Sequence, residues 1–351
     1  MLRLKNLFEN YPLAKYVLNN YYEYSNKELD KMLSYFRASC NIIYPYRVDK
    51  KVRFLRLAPV EEKSLAQVQA EIDYIQYLRS NGYNAVTPVS TLQGDLVMQI
   101  DTPYGQYVIS CFENANGVTL EETDLNDKIM IAYGEALGQL HALSRQYGRN
   151  NANRPDYIER IDWAIDVFST YECDSQLIDI AKSLKEQMST LIITDTNYGL
   201  IHYDFQPDNI FYDKKSNQCT VIDFDDCMYG WYAIDIMRVF DSLEQMLDDK
   251  QLSQAREEFM QGYKQHYTID DGGLDNTAIF SKYVDIITCA SIIYTMGEEL
   301  PQDQMEEWVS VLCDKLINMV NSIVAKLKGE DKVLEDIMQL AEQDVFDNQC
   351  D

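Results

Sequence analysis

The sequence predicts an α+β fold in two lobes, a small lobe built on an antiparallel sheet and a larger, mainly helical one. Three observations carry this. Aromatic and β-branched residues dominate short runs between residues 32 and 112, separated by polar turns. After residue 125 the chain is filled by long segments with the 3.6-residue apolar spacing of helices. Inside that helical part, the apolar runs Leu200-Ile201 and Val221-Ile222 lead into Asp204, Asn209 and Asp223, polar residues that burial alone would not select. With 351 residues there is room for both lobes and a substantial core. The expected boundary gives an N-terminal lobe 1–112, whose first 30 residues form a helical extension, and a C-terminal lobe 113–351.

Taken in order, Leu4, Leu7, Phe8, Leu13, Val17 and Leu18 are spaced as one or two helices, expected to lie as a lid on the small lobe. Residues 33–36, 42–48 and 52–57 read as an antiparallel meander, with turns at 38–41 and 49–51. Residues 64–80 form a helix with Leu65, Val68, Ile72, Ile75 and Leu78 on one face, and Gly82 ends it. Strands follow at 85–89, 96–100 and 107–112, the last running into a polar segment that closes on Gly117. Helices are expected at 125–146, 157–168 and 177–191. The stretch 212–218 reads as a hairpin turn, and helices at 237–246, 254–267, 276–297, 305–328 and 331–341 precede an acidic, frayed tail at 342–351.

Composition narrows the function. The net charge of −26, from 57 acidic against 31 basic residues, repels phosphate backbones and makes nucleic acid a poor partner. The same charge favours a cationic small molecule. Eight cysteines without a C-x-x-C pair, together with three histidines, fit reduced thiols rather than a zinc site or a disulfide framework. No signal peptide is legible, and the longest apolar stretch, 284–296 with Asp285 inside it, is too short to span a bilayer. The expectation is a soluble, cytoplasmic protein of open oligomeric state.

The polar trio gives the chemistry. His202, Asp204 and Asn209 stand as His-x-Asp-x-x-x-x-Asn, and Asp223-Phe224 follows at the end of an apolar run. Spacing and order match the catalytic loop and the metal-binding Asp of protein kinases. Phosphoryl transfer needs such a set: a carboxylate to orient the attacking hydroxyl and accept its proton, and oxygen ligands for magnesium on the nucleotide phosphates. Turn chemistry accounts for Asp and Asn in one loop, but not for a second Asp in an apolar run 14 residues later.

At these residues, HYDFQPDN and VIDFDD, the chain resembles the phosphotransferase family of aminoglycoside kinases, choline kinases and homoserine kinases. The resemblance runs from about residue 35 to residue 265 and implies a bilobal protein-kinase-like fold, with ATP and Mg2+ as cofactors and a small-molecule hydroxyl as acceptor. It further implies Asp204 as catalytic base, Asn209 and Asp223 as metal ligands, and Asp225 as a contact for the substrate. The first turn of the sheet contains no glycine, and Ser39 and Asn41 match the family's Ser-x-Asn turn over the phosphates. Arg56 stands where a kinase carries its phosphate-pairing Lys, with Glu71 at the rim of its helix face as the expected partner. Ser110, Cys111 and Phe112 fall where the adenine-binding hinge begins. His141 reads as a packed histidine, and Asp235 matches a residue that braces the catalytic loop. Tyr203 replaces the family's glycine, which restricts the loop's backbone. Two other readings stand beside this one: a bacterial stress-type Ser/Thr protein kinase, and a non-catalytic nucleotide-binding scaffold like some spore-coat relatives.

Overall fold

The computed structural model describes residues 3–6, 10–38, 41–148, 153–269, 275–297 and 307–329. The expected helix at 331–341, the tail, and Ser39 lie outside the described residues.

Two short helices, α1 (Tyr11–Tyr21) and α2 (Leu29–Leu33), precede a five-stranded sheet. Its strands are β1 (Arg37–Ala38), β2 (Ile42–Val48), β3 (Lys51–Pro59), β4 (Val97–Thr102) and β5 (Gly105–Glu113), antiparallel in the order β1-β2-β3-β5-β4. Helix α3 (Leu65–Ser80) opens on a capping box in which Ser64 and Gln67 satisfy each other's backbone donors. It ends at Gly82 in the left-handed region, φ 81°. Strand alternation then decides which side chains meet which layer. Leu55, Leu57, Ile109 and Cys111 point to one face of the sheet and share a buried cluster with Leu13, Val17 and Leu18 of α1. The helical extension therefore covers the outer face of the sheet, as its spacing predicts. Arg56, Ser110 and Phe112 occupy the opposite face, toward α3.

The rest of the chain is β6 (Val118–Thr119), α4 (Asp127–Tyr147), α5 (Tyr157–Thr170), α6 (Ser175–Ser189), β7 (Tyr198–Ile201), β8 (Ile210–Asp213), β9 (Gln218–Val221), β10 (Met228–Trp231), α7 (Tyr232–Glu244), α8 (Asp249–Tyr263), α9 (Thr277–Met296) and α10 (Glu307–Lys328). Strands β6, β8 and β9 form one small sheet, and β7 with β10 another. Helices α4 and α8 cross so closely that a Cβ on Gly134 would sit 1.9 Å from the Phe259 carbonyl oxygen, and one on Gly262 would sit 2.0 Å from that of Ile131. Glycine is required there by backbone contact, not by turn geometry.

Three expectations need correction. Residues 33–36 are the end of α2 and a turn, and the strand is confined to Arg37–Ala38. Residues 85–89 are extended but form no strand. Ala85 bridges Val221 and Pro88 bridges Phe112, so the segment splits its backbone bonds between two sheets. The apolar stretch in α9 belongs to a 20-residue helix that is long and apolar enough to cross a membrane by length and composition. In this fold α9 packs against α5, α6, α7 and α10, and Phe280, Tyr283, Ile286 and Ala290 are buried.

Candidate active site

The loop after β7 turns sharply at Tyr203, whose φ of 67° places a bulky residue in the left-handed region. Such a backbone costs about 1 kcal/mol or more for a residue with a Cβ, and the surroundings hold it there. Asp235, fully buried on α7, accepts the Tyr203 N–H at Oδ1 (2.7 Å) and the His202 N–H at Oδ2 (2.9 Å). His141 Nε2 donates to the same Oδ2 (3.1 Å), and its Nδ1 accepts from the Tyr263 hydroxyl (2.9 Å). Burial holds His141 below the usual histidine range and hence neutral. The chain Tyr263–His141–Asp235 thus anchors the loop to α4, α7 and α8.

His202 plays a second structural part. Its Nε2 donates to the Ile222 carbonyl (3.0 Å), while the Ile222 N–H donates to the Asn209 carbonyl (3.0 Å). These two bonds lay the end of β9 beside the loop and bring Asp223 to Asp204. The charge of Asp204 is felt at Asp223, which also has a left-handed backbone, φ 59°.

Both oxygens of Asp204 are held. Asn209 Nδ2 donates to Oδ2 (2.8 Å), and Arg238 of α7 donates to Oδ1 (3.0 Å). The Arg238 guanidinium also lies over the Tyr203 ring, 4.7 Å from its centroid. Across the site, Arg56 forms a bidentate pair with Glu71 (2.8 and 2.7 Å), and its Nε donates to Ser110 Oγ (2.9 Å). The guanidinium rests on the Phe112 ring, 4.9 Å from the centroid. Burial by itself would raise the Glu71 carboxyl, but the charge and hydrogen bonds of Arg56 overturn this and hold it lowered.

Asp223 is different. Burial, with the Glu71 charge adding to it, pushes its carboxyl up to about 7. Among the described residues no donor hydrogen-bonds this carboxylate. A half-buried hard-oxygen anion without a donor, next to an Asn whose amide nitrogen is turned to Asp204 and whose oxygen is left for another partner, is a donor set that suits Mg2+. Asp225 accepts from Asn41 Nδ2 (3.1 Å) and pairs with Lys63, so the first turn of the small sheet touches the acidic loop.

The remaining candidates are placed less directly. Cys111 turns its thiol to the far face of the sheet against the Tyr46 hydroxyl (3.1 Å), and its carbonyl accepts the Val89 N–H (2.8 Å). Ser110 and Phe112 hold Arg56 with their side chains. Sequence reasoning missed Arg238, Lys63, Arg154 and Arg160. Arg154 donates to the carbonyls of Phe224 and Asp225, fixing that loop, and Arg160 pairs with Asp226 (3.7 Å). One local signal existed for Arg238: it lies three residues after Asp235, on the same side of α7.

A cavity of about 490 Å³ opens beside Asp204, bounded by Arg160 and Trp163 of α5, Tyr294 of α9, Lys63 and Asp225.

Residues 46–273 match the model of the phosphotransferase enzyme family, and the chain belongs to that family. It is similar to the amicoumacin kinase of Bacillus subtilis (strain 168), at 25% identity over 199 residues, 56% of this chain and 58% of the relative. The match thus spans little more than half of that relative's length. Among solved structures the fold is similar to an amicoumacin kinase in complex with AMP-PNP, Ca2+ and Ami, with a TM-score of 0.71, 21% identity and coverage of 90% of this chain and 94% of the other. It is also similar to a microcompartment-associated aminopropanol kinase, with a TM-score of 0.65, 20% identity and coverage of 91% and 97%. These likenesses establish the protein-kinase-like fold that the motif implied.

Proposed function

We propose that this member of the phosphotransferase enzyme family transfers the γ-phosphoryl group of ATP to a hydroxyl group of a small, amine-bearing molecule. The observation that carries it is the double hold on Asp204 at the mouth of the cavity, with Asp223 beside it. An acceptor hydroxyl in that cavity meets a carboxylate of defined orientation, which aligns the oxygen for in-line attack and takes its proton as the bond to phosphorus forms. Arg56, preset by Glu71 and Ser110, presents fixed positive charge to the nucleotide phosphates. Asp223 and the side-chain oxygen of Asn209 would hold Mg2+, which when bound neutralises charge on the β- and γ-phosphates.

The cavity suits a small molecule better than a peptide, since α5, α9 and the 62–67 segment wall it in. Its carboxylates already have cationic partners: Asp204 has Arg238, Asp225 has Lys63 and Asp226 has Arg160. A substrate amine therefore competes with a resident cation, and its binding should weaken with salt. The relatives that act on amicoumacin and aminopropanol support the amine-bearing class. The test is an ATP-consumption screen with Mg2+ over aminopropanol, ethanolamine, choline, homoserine, amicoumacin and aminoglycosides, with casein as the protein control. Turnover with an amino alcohol or antibiotic and none with casein is expected. Phosphorylated casein and no small-molecule product would replace this reading with a protein kinase.

A further inference from the structure

Glu62 joins the N-terminal extension to the wall of the cavity. Its side chain is 4% exposed and takes donors from two distant parts of the chain. Arg3 Nε (2.9 Å) and Asn6 Nδ2 (2.8 Å) donate to Oε1, and the Tyr294 hydroxyl of α9 donates to Oε2 (3.0 Å). The Arg3 guanidinium also lies 5.3 Å from the centroid of the Tyr294 ring, and that ring meets Trp163 of α5 edge-on at 5.9 Å. Leu4, between the two donors, is buried in the cluster on the outer face of the sheet, and Met296 at the end of α9 packs on the same cluster. The residue after Glu62 is Lys63, which pairs with Asp225. One dipeptide therefore ties together the extension, α9 and the acidic loop beside Asp204.

We propose that Arg3 and Asn6 form a strap that determines acceptor specificity: by holding Glu62 against Tyr294 they set the wall of the cavity on which the acceptor's carbon skeleton packs. The inference rests on reading that cavity as the acceptor site. With three donors already on its carboxylate, Glu62 acts as a fixed post. Tyr294 and Trp163 supply the apolar surface, and their positions depend on the post. The nucleotide side, built on Arg56, Glu71 and Asp223, makes no contact with the strap among the described hydrogen bonds and ion pairs.

The experiment compares wild type with Arg3→Met, Tyr294→Phe, the double variant and Arg3→Lys, using aminopropanol and ethanolamine as acceptor probes. Acceptor KM should rise about tenfold in each of the first two, with kcat and AMP-PNP affinity changed less than about twofold. The double variant should be no worse than the more damaged single one, because both act through Glu62. Arg3→Lys should recover part of the loss, since it keeps the charge without the fork. Acrylamide quenching of Trp163 fluorescence, isolated by subtracting a Trp163→Phe control, should increase in Arg3→Met and Tyr294→Phe. Unchanged acceptor KM in both singles, or a parallel loss of nucleotide affinity, overturns the strap. If wild type phosphorylates neither probe, the acceptor reading is what has failed, and quenching decides the strap: unchanged quenching in both singles overturns it, and increased quenching upholds Arg3 as the holder of the Trp163 wall.

Discussion

Arg238 is one of four basic residues at the site that the sequence reading missed. It reaches Asp204 from 34 residues downstream, and the one local signal, its place three residues after Asp235 on the same side of α7, does not by itself separate a partner of Asp204 from a surface charge. Its replacement by Met removes one of the two donors that orient Asp204 and the cation over Tyr203. We expect kcat to fall by about tenfold to a hundredfold, with the KM for ATP little changed, as measured by steady-state kinetics. Asp223 leads to a pH prediction. Its carboxyl is raised to about 7, so the fold favours the protonated form. For the metal-free protein, this group's contribution to stability is complete below the ordinary value of 3.8 and is lost as pH rises through 7. The proposed Mg2+ ligand is the carboxylate form. Titration calorimetry should therefore show affinity for Mg2+ falling about tenfold for each pH unit below 7 and levelling off above it.

At the scale of elements, the catalytic loop depends on α7 more than on its own sequence. Asp235 satisfies two consecutive backbone N–H groups and His141, so Asp235→Ala leaves three buried donors without their acceptor. The expected loss is on the order of 3 kcal/mol, seen as a lowered midpoint in denaturant unfolding with unchanged slope. The α4–α8 crossing makes a separate demand. Gly262→Ala places a methyl group against the Ile131 carbonyl and should cost about 1–3 kcal/mol by calorimetry. Most elements were legible because their signals are local: the apolar face of α3 with Gly82 at its end, and the apolar, aromatic and β-branched runs of β3 and β5. Two were not. Leu33-Ser34-Tyr35-Phe36 has the residues of a strand, yet it finishes a helix begun at Leu29. Residues 85–89 have the backbone of a strand, but their partners, Val221 and Phe112, are contributed by two different sheets.

For the whole molecule, the local motif marked the candidate site, and tertiary packing added the charges around it. Asp204, Asn209 and Asp223 could be read because one loop and one strand end set their spacing, and Arg56 with Glu71 because a strand and a helix face each other. Lys63, Arg154, Arg160 and Arg238 come from four separate segments, and only the fold shows that they neutralise or fix an acidic site. The overall charge of −26 suggested a cationic substrate, while in the structure Asp204, Asp225 and Asp226 are already paired with Arg238, Lys63 and Arg160. The most direct test of phosphoryl transfer at this site is the rate at which radiolabel passes from the γ-position of ATP to an amino-alcohol acceptor, in wild type and in Asp204→Asn side by side. Transfer by wild type, reduced by about a hundredfold or more in the variant while AMP-PNP still binds, is the expected result. Equal transfer by both proteins would contradict it.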